Sequence, residues 1–167
     1  MISRFAAIAF LAGGAVIAET AGAAPTAVGR YKDWVVYTNT VGGDTLCYAA
    51  TEATDKAPKS ARHGDVWFYV TNWKSGQARS QPSLKVGYEL RADVPTQASV
   101  GRSKWPMFGV GEEAFAMDED DPQIVRAIKR GRELRVEAVS ARNTSVAYHF
   151  SLSGSSAAID RAAAACR

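Results

Sequence analysis

Apolar positions in this chain recur mostly at intervals of two, the period of a β-strand with one face in a core. Asp33–Thr38 (DWVVYT) and Thr45–Thr51 (TLCYAAT) are short, β-rich runs, and Gly42-Gly43-Asp44 between them signals a hairpin. Asp65–Trp73 (DVWFYVTNW) carries the strongest strand pattern. It sets Val66, Phe68 and Val70 on one face and Trp67, Tyr69, Thr71 and Trp73 on the other. Polar connections, Lys56–Gly64 and Ser75–Pro82, flank this run. Short strands follow at Ser83–Leu90, Gln97–Arg102, Met107–Val110 and Glu113–Met117. Two clearer ones come last, Arg132–Ser140 and Ser145–Leu152, with Leu134, Val136 and Ala138 alternating against Arg135 and Glu137.

Two stretches switch to a helical period. Pro122–Arg130 has Asp121 as its expected N-cap and Pro122 at the first helical position, where a missing N–H costs nothing. Ile124 and Ile128 share a face, and Gly131 fits a left-handed stop. Ser156–Ala165 is rich in alanine, with Ser155 as the expected cap and Ile159, Ala162 and Cys166 along one face. Many short strands with few helices predict a mainly β protein, a β-sandwich with two short α-helices, the second at the C-terminus.

The N-terminal stretch follows a different logic. Arg4, the uncharged apolar run Phe5–Ala18 and the small residues Ala21-Gly22-Ala23 have the layout of a secretory signal peptide over residues 1–23. The apolar run falls short of the roughly 20 residues that span a bilayer as a helix. We therefore expect export, a flexible segment over residues 24–32, and a single sandwich domain over 33–167 with no transmembrane segment after cleavage.

Composition narrows the chemistry without naming any. Among 167 residues, 20 Lys and Arg nearly balance 17 Asp and Glu for a net charge of +3. A dedicated nucleic-acid binder carries a more lopsided charge on one stripe, so no nucleic-acid partner is expected. Two His and two Cys are too few for the usual zinc ligand sets. In an oxidising compartment, Cys47 and Cys166 most simply form one disulfide closing a loop of roughly 120 residues. A redox-active or intermolecular pair is the alternative, although no C-x-x-C is present.

Candidate sites are few. The acidic run Asp118-Glu119-Asp120-Asp121 lacks the spacing of an EF-hand loop and reads as charge complementing a helix N-terminus. Arg126, Lys129, Arg130, Arg132 and Arg135 read as a solvated basic face, with a patch for anionic lipid or polysaccharide as the other reading. His63 and His149 have no metal-like spacing. No catalytic, metal or cofactor residues are expected. The most informative surface is the aromatic side of the third strand, Trp67, Tyr69 and Trp73. Either the C-terminal helix or a long loop covers it, or it is an open platform for a sugar, a peptide or a partner protein.

The order of several segments resembles the invasion-associated locus B family of exported bacterial proteins. They are Asp33-Trp34-Val35-Val36, Cys47-Tyr48-Ala49, Gly87-Tyr88-Glu89-Leu90, Phe108, Ala114-Phe115-Ala116 and Val125–Gly131 leading into Leu134. Ser140–Thr144, Phe150–Gly154 and Ala157-Ala158-Ile159 complete the pattern. Many members carry a Cys where this chain has Val36-Tyr37-Thr38, and a Phe where it has Ser155. The resemblance implies an immunoglobulin-like β-sandwich, a periplasmic or outer-membrane-associated location, and no catalytic residues to carry over. Some members are linked to invasion of host cells. The resulting expectation is a non-enzymatic envelope or binding domain whose partner is an envelope or host protein, or a glycan. A periplasmic chaperone working through a sheet edge and a hydrolase of envelope substrates are the alternatives.

Overall fold

A computed structural model describes residues 24–167, so the stretch 1–23, expected from sequence to be a signal peptide, lies outside the described residues. The strands are β1 (Thr26–Tyr31), β2 (Trp34–Val41), β3 (Asp44–Glu52), β4 (Asp55–Ala57), β5 (Trp67–Trp73) and β6 (Gln81–Lys85). They continue as β7 (Thr96–Val100), β8 (Ser103–Val110), β9 (Glu113–Phe115), β10 (Glu133–Val139) and β11 (Ser145–Ser151). Helix α1 (Asp121–Arg130) precedes β10, and α2 (Ser155–Ala165) ends the fold. The mainly β architecture with a C-terminal second helix is thus the one observed.

All pairings are antiparallel, in the order β1-β2-β3-β5-β6-β9-β8-β7-β10-β11-β4. The sheet turns a corner inside β8, whose residues 103–107 pair with β7 and whose residues 108–110 pair with β9. A strand that changes partner halfway is how one sheet folds into two layers. On the far side the chain itself makes the crossing. Thr54 N–H donates to His149 O at 2.8 Å as β3 runs into β4, which pairs with β11.

The two layers close over one core. Phe68 of β5 and Phe150 of β11 meet with ring centroids 5.7 Å apart. Trp34 is fully buried, and its indole N–H donates to Ser151 O at 2.9 Å, so the largest core side chain leaves no donor unsatisfied. Helix α2 covers the part of the inner face of β2 and β3 that the second layer leaves open, burying Ala158, Ile159 and Ala162. Cys166, just past its end, is bonded to Cys47 of β3 with the Cα atoms 5.8 Å apart.

Several expectations give way. Residues 24–32 are not a flexible segment, because β1 pairs with β2 and sends Val28 and Tyr31 against the core. The polar connection 56–64 contains part of β4, because β11 offers a free edge there. The strand placed at Ser83–Leu90 is β6, which stops at Lys85. Asp121 is not the cap of α1; that is Asp120, and Asp121 sits buried in the first turn. Gly131 is extended rather than left-handed, with φ −80° and ψ 177°. Its lack of a side chain serves close approach instead: a Cβ there would stand 2.5 Å from Val100 Cγ1 and 2.8 Å from Leu152 Cδ1. Gly154, at φ 93°, takes the cap position of α2. Ser155 is freed from capping and donates its hydroxyl to Ile128 O at 3.0 Å, tying α2 to α1.

Candidate functional site

Strand alternation and register decide what the outer face of the first layer presents. Cys47 and Asn72 are paired and buried toward α2, so their neighbours Tyr48, Tyr69, Thr71 and Trp73 point the opposite way. The C-terminal helix therefore does not cover the aromatic side of β5. Cross-strand pairing builds that side into rows, Tyr37–Tyr48–Thr71 along one and Ala50–Tyr69–Ser83–Phe115 along the next. Tyr37 and Tyr48 stack at 5.4 Å, and Tyr69 meets Tyr48 edge-on at 5.6 Å. Trp67 stacks on Tyr69 at 6.4 Å. At the corner, Phe108 is 43% exposed and Val110 69% exposed.

A groove of about 450 Å³ runs over these rows. Tyr48, Tyr69, Trp73 and Phe115 give it ring faces, while Asn39, Gln77, Gln81 and Lys85 give it polar edges. Of the three aromatic residues singled out from sequence, Tyr69 and Trp73 line the groove; Trp67 lies beside it against Tyr69. Burial, with Tyr48 and Glu113 adding to it, pushes the Tyr69 phenol up to about 12. Burial likewise raises Tyr48. Both hydroxyls are protonated donors at neutral pH. Lys85 pairs with Glu112 at 3.5 Å and Glu113 at 3.6 Å, so one end carries a single cation against two carboxylates. Tyr37, Tyr48, Phe115 and Phe108 were missed from sequence. The alternation Leu46–Tyr48 was a visible signal, but only register brings these residues beside β5.

The other candidates separate in space. Among the described residues, no group of three or more His, Cys, Asp or Glu could hold a metal ion. Within the acidic run, Asp121 is buried with Oδ1 unpartnered. Burial, then Asp118 and Asp120, pushes its carboxyl up to about 7. The basic run splits: Lys129 pairs with Asp160 at 2.7 Å and Arg135 with Glu137 at 2.9 Å. Arg130, Arg132 and Arg135 nevertheless border one hollow together with Lys104 and Glu133. His149 pairs with Glu133 at 2.9 Å. His63, placed in a polar loop from sequence, is buried against Tyr148 and opens onto a second cleft of about 650 Å³.

The family model described as invasion associated locus B (IalB) protein matches residues 34–163. No curated protein and no solved structure matches the chain.

Proposed function

From the premise that the chain belongs to the invasion associated locus B family, we propose that it is an exported, non-enzymatic domain of the cell envelope that binds a glycan. The disulfide between Cys47 and Cys166 supports export, since such bonds persist in oxidising compartments. No helix among the described residues is long and apolar enough to cross a membrane. The contact is made through the outer face of β2, β3, β5, β6 and β9.

One observation carries the reading. An aromatic face that none of the described residues covers is hollowed into a groove with amide-bearing edges. Exposed apolar surface of this kind marks a contact site. Sugar rings offer C–H faces that stack on Tyr69 and Trp73. Their hydroxyls reach Asn39, Gln77 and Gln81, whose amides both donate and accept. Ring faces with a few polar groups set the usual balance of a ligand site.

The test is titration with N-acetylglucosamine oligomers and with oligosaccharides released from the bacterial envelope, read by tryptophan fluorescence and calorimetry. Saturable binding weakened at least tenfold by Tyr69→Ala and Trp73→Ala supports the reading. Absence of saturation, or binding indifferent to both substitutions, refutes it. Capture of a protein at this face in place of any oligosaccharide refutes the glycan assignment.

A further inference from the structure

The cleft beside His63 contains a chain of hydrogen bonds whose direction can be worked out. His63 Nε2 stands 2.8 Å from the Pro58 carbonyl oxygen, and Nδ1 3.0 Å from the Tyr148 hydroxyl. The Tyr148 hydroxyl is 2.6 Å from that of Tyr88. A carbonyl oxygen only accepts, so Nε2 carries a proton. With Nδ1 as the acceptor from Tyr148, the Tyr148 oxygen accepts from Tyr88. Tyr88 has one proton and it is directed inward. Tyr88 lines the cleft, and in this arrangement its oxygen keeps only lone pairs for a ligand, so a ligand meeting it must be a donor.

The rest of the lining narrows the donor's identity. Arg62, Arg142 and Glu89 border the same cleft as Tyr88, and all three are exposed. Among the described residues none of them stands in an ion pair. Two guanidinium groups against one carboxylate leave the cleft net positive while keeping an anionic spot beside Tyr88 in sequence. A neutral sugar leaves all three charges unanswered. A uronic acid answers the arginines but sets its remaining hydroxyls against Glu89 with no cation to match. A molecule with two carboxylates and one ammonium answers every group.

We propose that this cleft binds an acidic amino acid, free or at the end of a short peptide, with its ammonium on Tyr88 Oη and Glu89 and its carboxylates on Arg62 and Arg142. The walls are set before binding. The His63–Tyr148 bond fastens the 58–64 loop to β11, and Ala141 N–H donates to Glu89 O at 2.9 Å. Gly87 and Gly64 pack backbone to backbone, where a Cβ on Gly87 would meet Gly64 Cα at 3.4 Å. Walls held this way lose little freedom when a ligand enters. The cleft is lined by none of the residues of the aromatic groove, so the two sites stand or fall separately.

The experiment is calorimetric titration of the exported protein with L-glutamate and alanyl-glutamate, alongside N-acetyl-L-glutamate and glucuronate. L-Glutamate or alanyl-glutamate should bind saturably, with N-acetyl-L-glutamate and glucuronate at least tenfold weaker. Charge-assisted hydrogen bonds of this kind account for about tenfold or more each. Arg142→Ala and Tyr88→Phe should each weaken glutamate at least fivefold, while Arg161→Ala on the exposed side of α2 leaves it unchanged. Tyr88→Phe keeps the ring, and its far-UV spectrum and melting curve report whether the fold is retained. No saturation by glutamate or alanyl-glutamate at 20 mM (about the weakest affinity worth assigning) overturns the proposal. So does equal binding of the acetylated ligand, or indifference to both substitutions.

Discussion

Replacing both Cys47 and Cys166 with alanine removes a link across 119 residues of sequence. In the loop-entropy account, closing a loop of that length restricts the unfolded chain by about 5 kcal/mol. The folded state loses little else, because alanine fills most of the same buried space. Engineered and native bridges commonly deliver less than the entropy alone, so the expected loss is about 3–5 kcal/mol. That compares with a total of roughly 5–15 kcal/mol for a domain of ordinary stability. The melting temperature should fall by roughly 10–15 °C at this chain size. Urea unfolding at pH 7 should show a lower midpoint together with a steeper dependence on urea, since the unlinked unfolded chain exposes more surface. Hydrogen exchange localises the effect. α2 should lose protection first, being held to the first layer by Ala158, Ile159 and Ala162 and by the link that follows it. A loss below 1 kcal/mol with unchanged urea dependence and full protection of α2 would refute the reasoning, because it would show the unfolded chain to be compact without the link.

Three further changes probe the core. Gly131→Ala places a methyl 2.5 Å from Val100 Cγ1 and 2.8 Å from Leu152 Cδ1. It should destabilise by about 1–3 kcal/mol in chemical denaturation, and a neutral result would mean that Val100 and Leu152 give way freely. Trp34→Ala should cost about 3–5 kcal/mol, a figure that includes the orphaned Ser151 carbonyl; a loss under 1 kcal/mol would remove Trp34 from the core. Asp121 is pushed up to about 7 from an ordinary 3.8, chiefly by burial. Its native form therefore holds a proton that the unfolded chain releases, so stability falls as pH rises from about 4 to about 7 and levels off above. The ceiling on that loss is about 4 kcal/mol; the positive end of α1 favours the carboxylate and reduces it to about 1–3 kcal/mol. Asp121→Asn should raise the melting temperature at pH 8 and leave it nearly unchanged at pH 4. An equal change at both pH values would contradict the burial of a charge at this position.

Local pattern carried most of the secondary structure. β5 was legible because its alternation is strict and its residues are aromatic and β-branched, and its observed burial alternates residue by residue. α1 and α2 were legible from period, proline and alanine. Their ends were not. Gly131, expected as a left-handed stop, is set instead by close approach to Val100 and Leu152, and the left-handed position falls at Gly154, the cap where Ser155 was expected, against the backbone of Tyr31. β1 was missed because TAVGRY has little apolar content of its own and becomes a strand by pairing with β2. Half of the candidate groove was visible as Tyr69 and Trp73. Its remaining rings come from β3, which pairs directly with β5, and from β9, which reaches the same face only through the intervening β6.

His63 marks the limit most clearly. A histidine in a polar loop carries no local signal of burial, yet it lies against Tyr148, 85 residues away. Residue order alone determined the strand-rich class, the helical stretches, the single pair of thiols and the two-sided character of β5, because those depend on neighbours a few positions apart. Which side of β5 stays open, which tyrosines share a hydrogen-bond chain and which arginines border a cleft were decided only when the sheet turned its corner in β8. Pairing across a sheet sums many weak contacts between distant segments, and no short stretch of chain contains that sum.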